Sequence, residues 1–123
     1  MPYAFTKQYG ISHGHAVALT FGAFAAAHAT APAKCLQPGL PLEAHEAAMQ
    51  TLANALGLDL PTSIADWFGS YCASLELDLG LIRHGVMEKS LAAIAQSVNP
   101  ERLSNNPVAM TESDLLDILQ ASR

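Results

Sequence analysis

Charge is scarce in this chain: only 14% of its 123 residues are Asp, Glu, Lys or Arg. Half of the residues are apolar, which excludes an intrinsically disordered segment. Basic residues are the scarcest, at 6 Lys+Arg against 11 Asp+Glu, for a net charge of -5. No basic patch is dense enough to mark a nucleic-acid or anionic-membrane partner. Cysteine is limited to Cys35 and Cys72, which are far apart and match no CxxC or zinc-finger spacing. They read as two buried free thiols in a reducing cytoplasm, the expected location. No basic region followed by an apolar run opens the chain, so no signal peptide is expected. No Gly-rich phosphate loop occurs, which removes the usual signature of a nucleotide-binding domain. Period-2 alternation and internal repeats are also missing.

What is abundant is alanine and leucine, while β-branched residues are few, a balance that favours helix. Gly14 to Ala31 is apolar enough to resemble a membrane span. It is built on alanine and carries His15, His28 and several threonines, and alanine adds little to insertion. A buried helix in a helical domain is the expected outcome. Met1 to Ser12, with Pro2 and Gly10, reads as an entry segment with a turn. Helices are expected from His13 to about Thr30 and from Leu42 to Leu56. The second has Glu43 in its first turn and Gly57 just past its end. Pro61-Thr62-Ser63 opens a helix with Ile64, Trp67, Phe68, Tyr71 and Leu75 on one stripe, broken at Gly80. A turn follows at Leu81 to Gly85. Met87 to Val98 reads as one amphipathic helix ended by Asn99-Pro100, and Asn105-Asn106-Pro107 as a loop. Thr111 to Asp114 has the form of a capping box and starts a last helix. The expected fold is all-α, one domain over residues 1–123, a bundle of about five or six helices.

The chemistry rests on His13-Gly14-His15 at the mouth of the longest helix. Neutral imidazole is a good ligand for divalent transition metals. Gly14 would let the backbone approach a ligand. Residues at i and i+2 on a helix point apart, so at most one of the two histidines is a metal ligand. A histidine at a helix start is more often packed or capping than ligating. No other His, Asp, Glu or Cys stands at a ligand spacing from His13, so local sequence leaves its role open. His45, beside Glu43 and Glu46, reads as solvated. His84, before Gly85, reads as a cap or surface residue, and Glu76 and Asp78 share no helical face that would suit acid-base work.

A wider pattern adds to this. Tyr3-Ala4-Phe5-Thr6, then Tyr9-Gly10-Ile11-Ser12-His13-Gly14-His15-Ala16-Val17-Ala18-Leu19, resembles the segment of iron-containing alcohol dehydrogenases in which Pro-His-Gly opens an Ala-rich helix. Leu60-Pro61-Thr62-Ser63, Leu81-Ile82-Arg83-His84-Gly85-Val86 and Asn105-Asn106-Pro107 with Thr111 to Leu116 resemble the closing stretch of that family in the same order. The resemblance implies the C-terminal helical domain of a two-domain enzyme, whose other half is a nucleotide-binding α/β domain. It implies a divalent metal, iron or zinc, in the cleft between them, held by one aspartate and three histidines. The metal would act as a Lewis acid on a small alcohol or aldehyde, with hydride passing to or from NAD(P).

His13 matches the last of those histidines. The other ligands would precede Met1, so Met1 is expected to be an internal methionine of a longer enzyme. The chain alone would then bind a metal only weakly, if at all, and is not expected to turn over substrate. His15, Phe5, Tyr9, Phe21 and Phe24 are candidates to line the cleft. Ser12 replaces the family's proline and Phe21-Gly22 a common Leu-Pro, which marks a divergent branch. A run from Tyr9 to Thr20 also resembles members acting on phosphonate-bearing aldehydes, though it carries over no residue for the charged group. Two alternatives accompany this reading. One is a non-enzymatic helical domain that self-associates. The other is a relative of dehydroquinate synthase, which the His-Gly-x-Ala-Val run also resembles, or of glycerol dehydrogenase. An orphaned cleft surface is expected to drive homo-oligomer formation near His13 to Phe24.

Overall fold

The computed structural model describes residues 1–123 as seven α-helices and several 3-10 turns. There is no strand, only an isolated bridge between Leu36 and Val108. The helices are α1 (Pro2–Tyr9), α2 (His13–Ala29), α3 (Leu42–Ala55), α4 (Ile64–Ser74), α5 (Leu91–Gln96), α6 (Pro100–Leu103) and α7 (Glu112–Ala121). No helix is long and apolar enough to cross a membrane.

The count exceeds the expected five or six for a physical reason. Pro2 and Gly10 look like loop residues, but they sit at the two ends of a helix. Pro2 occupies the first turn of α1, where the missing N–H costs nothing. Gly10 closes it in the left-handed region at φ 66°. Likewise Asn99-Pro100 starts a helix: the Asn99 side chain accepts from the N–H groups of Glu101 and Arg102, at 2.9 and 3.3 Å. The expected Met87–Val98 helix is shorter, a 3-10 turn at Glu88–Ser90 followed by α5. α4 stops at Ser74, well before Gly80, because Glu76 turns left-handed at φ 58°. Gly80 has another duty: a Cβ there would lie 3.1 Å from the Arg123 carbonyl oxygen. That closeness lets the Leu81 N–H reach the Ser122 carbonyl at 3.1 Å.

α2 is the central element and serves two cores. Its first half joins α1, α5, α7 and the Leu81–Val86 turn around Phe5, Leu19, Leu91, Ile94, Leu115 and Leu119. Its second half meets α3 and α4 around Ala25, Ala53 and Ile64, with Phe21, Met49 and Leu56 packed against them. Gly22 faces α4 there, where a Cβ would meet the Ala65 carbonyl oxygen at 3.9 Å, an ordinary van der Waals contact. The stripe expected on α4 is only partly inward. Ile64 is fully buried, whereas Tyr71 and Leu75 are 51% and 59% exposed. Cys72 is buried and Cys35 half-buried, and both are free. The capping box on α7 forms as expected, with the Thr111 hydroxyl accepting from the Asp114 N–H and the Asp114 carboxylate accepting from the Thr111 N–H at 2.7 Å.

Candidate functional site

Five histidines lie on or near α2, and their surroundings differ. His13 begins the helix, is exposed, and its ring makes no hydrogen bond to the protein. Its nitrogens are therefore available to a ligand. The other four are engaged or enclosed.

His15 turns away from His13, as the i, i+2 spacing requires. Its Nε2–H donates to the Asp78 carbonyl at 2.6 Å. His84 Nε2–H donates to the same carbonyl at 2.8 Å. The two rings meet edge to face, with centroids 4.4 Å apart. Two imidazoles thus clasp one backbone oxygen and tie the Leu77–Gly85 loop to the first turn of α2. The Asp78 carboxylate accepts from the Gly80 N–H at 2.9 Å and from Arg83 Nη1 at 3.0 Å. The Gly80 bond, then Arg83, hold this carboxyl below the ordinary aspartate range. His84 is therefore neither a plain cap nor a surface residue. Its only sequence signal is the turn before Gly85; the Asp78 partner of His15 lies 63 residues away.

His45 is buried at 4% exposure, not solvated on a polar helix face as the flanking glutamates suggest. Its Nε2–H donates to the His28 carbonyl at 2.8 Å. That carbonyl lies in the last turn of α2, where carbonyls have no helical partner. His45 satisfies it from the neighbouring helix. The His28 ring is enclosed too: its Nε2 is buried without a partner. Burial, and then the neighbouring His45, push its pKa below the ordinary histidine value.

His13 faces a hollow of about 870 Å³ between α1, the start of α2, α6 and the Ser97–Asn99 turn. Phe24 lines it, as do Lys7 and Arg102. The other aromatic candidates lie elsewhere. Phe5 is fully buried in the large core. Tyr9 is half-buried against the same core. Phe21 packs beside the small core, its ring tilted against Phe68 with centroids 4.5 Å apart. Gly14 is open: a Cβ there would meet nothing within 4 Å. No protein atom requires glycine at that point. No group of three or more His, Cys, Asp or Glu side chains stands close enough to share a metal ion.

An all-helical domain with one unengaged histidine at the head of its central helix is thus the class that fold and site define. The family comparison is specific: the model described as Fe-containing alcohol dehydrogenase family, C-terminal, matches residues 1–123. The chain belongs to that family and corresponds to its C-terminal helical domain. No curated protein and no solved structure matches it significantly.

Proposed function

We propose that the chain is the metal-site half of an NAD(P)-dependent alcohol dehydrogenase or aldehyde reductase, with His13 as its metal ligand. The observation that carries this reading is the state of His13. It alone among the five histidines is both exposed and free of any protein hydrogen bond. It also borders a hollow large enough for a small substrate. An imidazole with free nitrogens fits a divalent iron or zinc ion, and further ligands would come from outside these residues. Such an ion would supply Lewis-acid polarisation of an alcohol or aldehyde oxygen, and NAD(P) would supply or take up the hydride. The residues of this chain position the ligand and shape the hollow. The His15–Asp78–His84 clasp fixes the first turn of α2, and with it the direction of His13. Phe24 supplies an apolar wall. Nucleotide binding belongs to another domain in the family, so the chain by itself is not expected to turn over alcohol. A cytoplasmic location fits these roles.

Calorimetric titration with zinc or ferrous ion tests the reading. The expected result is weak binding that disappears in His13→Ala. Binding that is unchanged in His13→Ala overturns the role of His13. A stoichiometric ion that resists chelators overturns the view that the ligand set is partial.

A second proposal concerns association. Tyr3 on the rim of the hollow is 69% exposed, and Val17, one turn beyond His13, is 40% exposed. Exposed apolar side chains of this kind favour a covering partner, here a second copy of the chain. Light scattering should show mass rising with concentration, and a strict monomer at high concentration would contradict it.

A further inference from the structure

We infer that the hollow beside His13 binds an oxyanion, a carboxylate or phosphoryl group carried by the substrate, through Lys7 and Arg102. The argument begins with charge. Acidic residues outnumber basic ones by 11 to 6 in this chain. Yet the wall of this hollow contains Lys7 and Arg102 and not one Asp or Glu. The groove between the second half of α2 and α7 is the reverse: it is lined by Asp114 and Asp117 and holds no Lys or Arg. Charge is therefore segregated between the two concavities.

The two cations are also uncommitted. The salt bridges of the chain join Arg83 to Asp78 and Arg123 to Glu88. Lys7 and Arg102 are in neither. The Lys7 ammonium lies 6.0 Å from the centre of the Tyr3 ring, a cation–π approach at the rim of the hollow. Arg102 lies on α6, held in place by the Asn99 cap. Its guanidinium offers paired N–H donors that match a carboxylate or phosphoryl oxygen pair. Asn99 and Asn106 add neutral polar groups to the same wall. The volume of about 870 Å³ suits a small molecule, and the cations stand on a concave wall, which favours a compact anion over an acidic protein surface. The binding of an oxyanion is independent of the metal. Its assignment to the substrate rests on the reading of His13 as the metal ligand.

The experiment is an amide NMR titration of the whole chain with inorganic phosphate, and separately with acetate, at constant ionic strength. The expected result is saturable shifts clustered at Lys7, His13, Asn99 and Arg102. The double variant K7Q/R102Q should weaken binding by about tenfold or more, the loss expected for removing charged hydrogen-bond donors. K34Q/K89Q removes two exposed cations elsewhere and should leave binding unchanged. Shifts that do not saturate, or that fall equally in both double variants, overturn the proposal. A third titration uses NAD. If it binds far more tightly than phosphate and depends on Lys7 and Arg102, the oxyanion belongs to the cofactor and the substrate assignment fails. Zinc titration of K7Q/R102Q separates the two readings. Retained zinc binding dependent on His13, with phosphate binding absent from the wild type, sinks the oxyanion site alone. The converse sinks the metal reading, and with it the assignment of the oxyanion to the substrate, while the oxyanion site itself stands.

Discussion

The two ends of α2 carry histidines in opposite states. At the N-terminal end His13 is exposed and unbonded, above the larger core of the domain. At the C-terminal end His28 is enclosed, and His45 from α3 is bound to the last turn of the helix above the smaller core. The contrast separates a histidine that can take a ligand from histidines that hold the fold. Residue type does not make that distinction, and the unpaired groups at each helix end do. The free end leaves its imidazole open to a hollow, while the packed end uses one imidazole to satisfy a helix-end carbonyl that would otherwise lack a protein partner.

Predictions on stability sharpen this contrast. The largest effect is expected beneath the N-terminal end. Phe5→Ala removes a fully buried ring from the larger core and should cost about 3–5 kcal/mol in urea unfolding. A loss below 1 kcal/mol would mean that α1 is not integral to that core.

Next comes the C-terminal end. His45→Ala should cost about 1–3 kcal/mol, because the His28 carbonyl loses its donor in a partly buried setting. His13→Ala should stay within about 0.5 kcal/mol of wild type, since its ring has no protein partner to lose. Equal losses for the two variants would erase the difference between the ends.

A smaller effect is expected with pH. His28 has a lowered pKa in the folded state, so the unfolded chain takes its proton first on acidification. The unfolded state then binds more protons than the native one, and stability falls as pH drops below the ordinary histidine value of about 6.5. The loss is complete once pH passes below the depressed folded value. His28→Asn should flatten this slope in urea unfolding between pH 7.5 and 5.5 (about one unit on either side of that value). An unchanged slope would assign the acid sensitivity to other groups. The Asp78 and Asp114 carboxyls, whose pKa values are also lowered, act in a separate window. Their contribution is present above the ordinary aspartate range and is lost as pH falls through their lowered values.

The same contrast marks how far the sequence could be read. The limits of α2, α3 and α7 are legible because periodic apolar residues end at clear signals: the break before His13, Gly57 past α3, and the Thr111 box. α1 and α6 are not, because proline and glycine mark helix ends as well as loops, and Pro2, Gly10 and Pro100 serve as ends. His13 stands out locally through its glycine and the long helix behind it, and the family pattern gives it a role. The engagements of His15, His45 and His84 are invisible in sequence for one reason. Each donates to a backbone carbonyl, two of them on distant segments, and no side-chain pattern announces which carbonyls a fold leaves unpaired. The cationic wall of the hollow is hidden in the same way, since Lys7 on α1 and Arg102 on α6 line one hollow only in the folded chain.

The most direct measurement compares all five histidines in one sample. Imidazole NMR signals of the chain are followed during addition of a small amount of paramagnetic Mn²⁺ or Co²⁺, with the His13→Ala variant alongside. His13 should broaden first and most, and His28 and His45 at the far end of α2 should stay sharp until much more ion is added. Equal broadening of His13 and His45, or the same broadening pattern in His13→Ala, would contradict the assignment of His13 as the metal ligand.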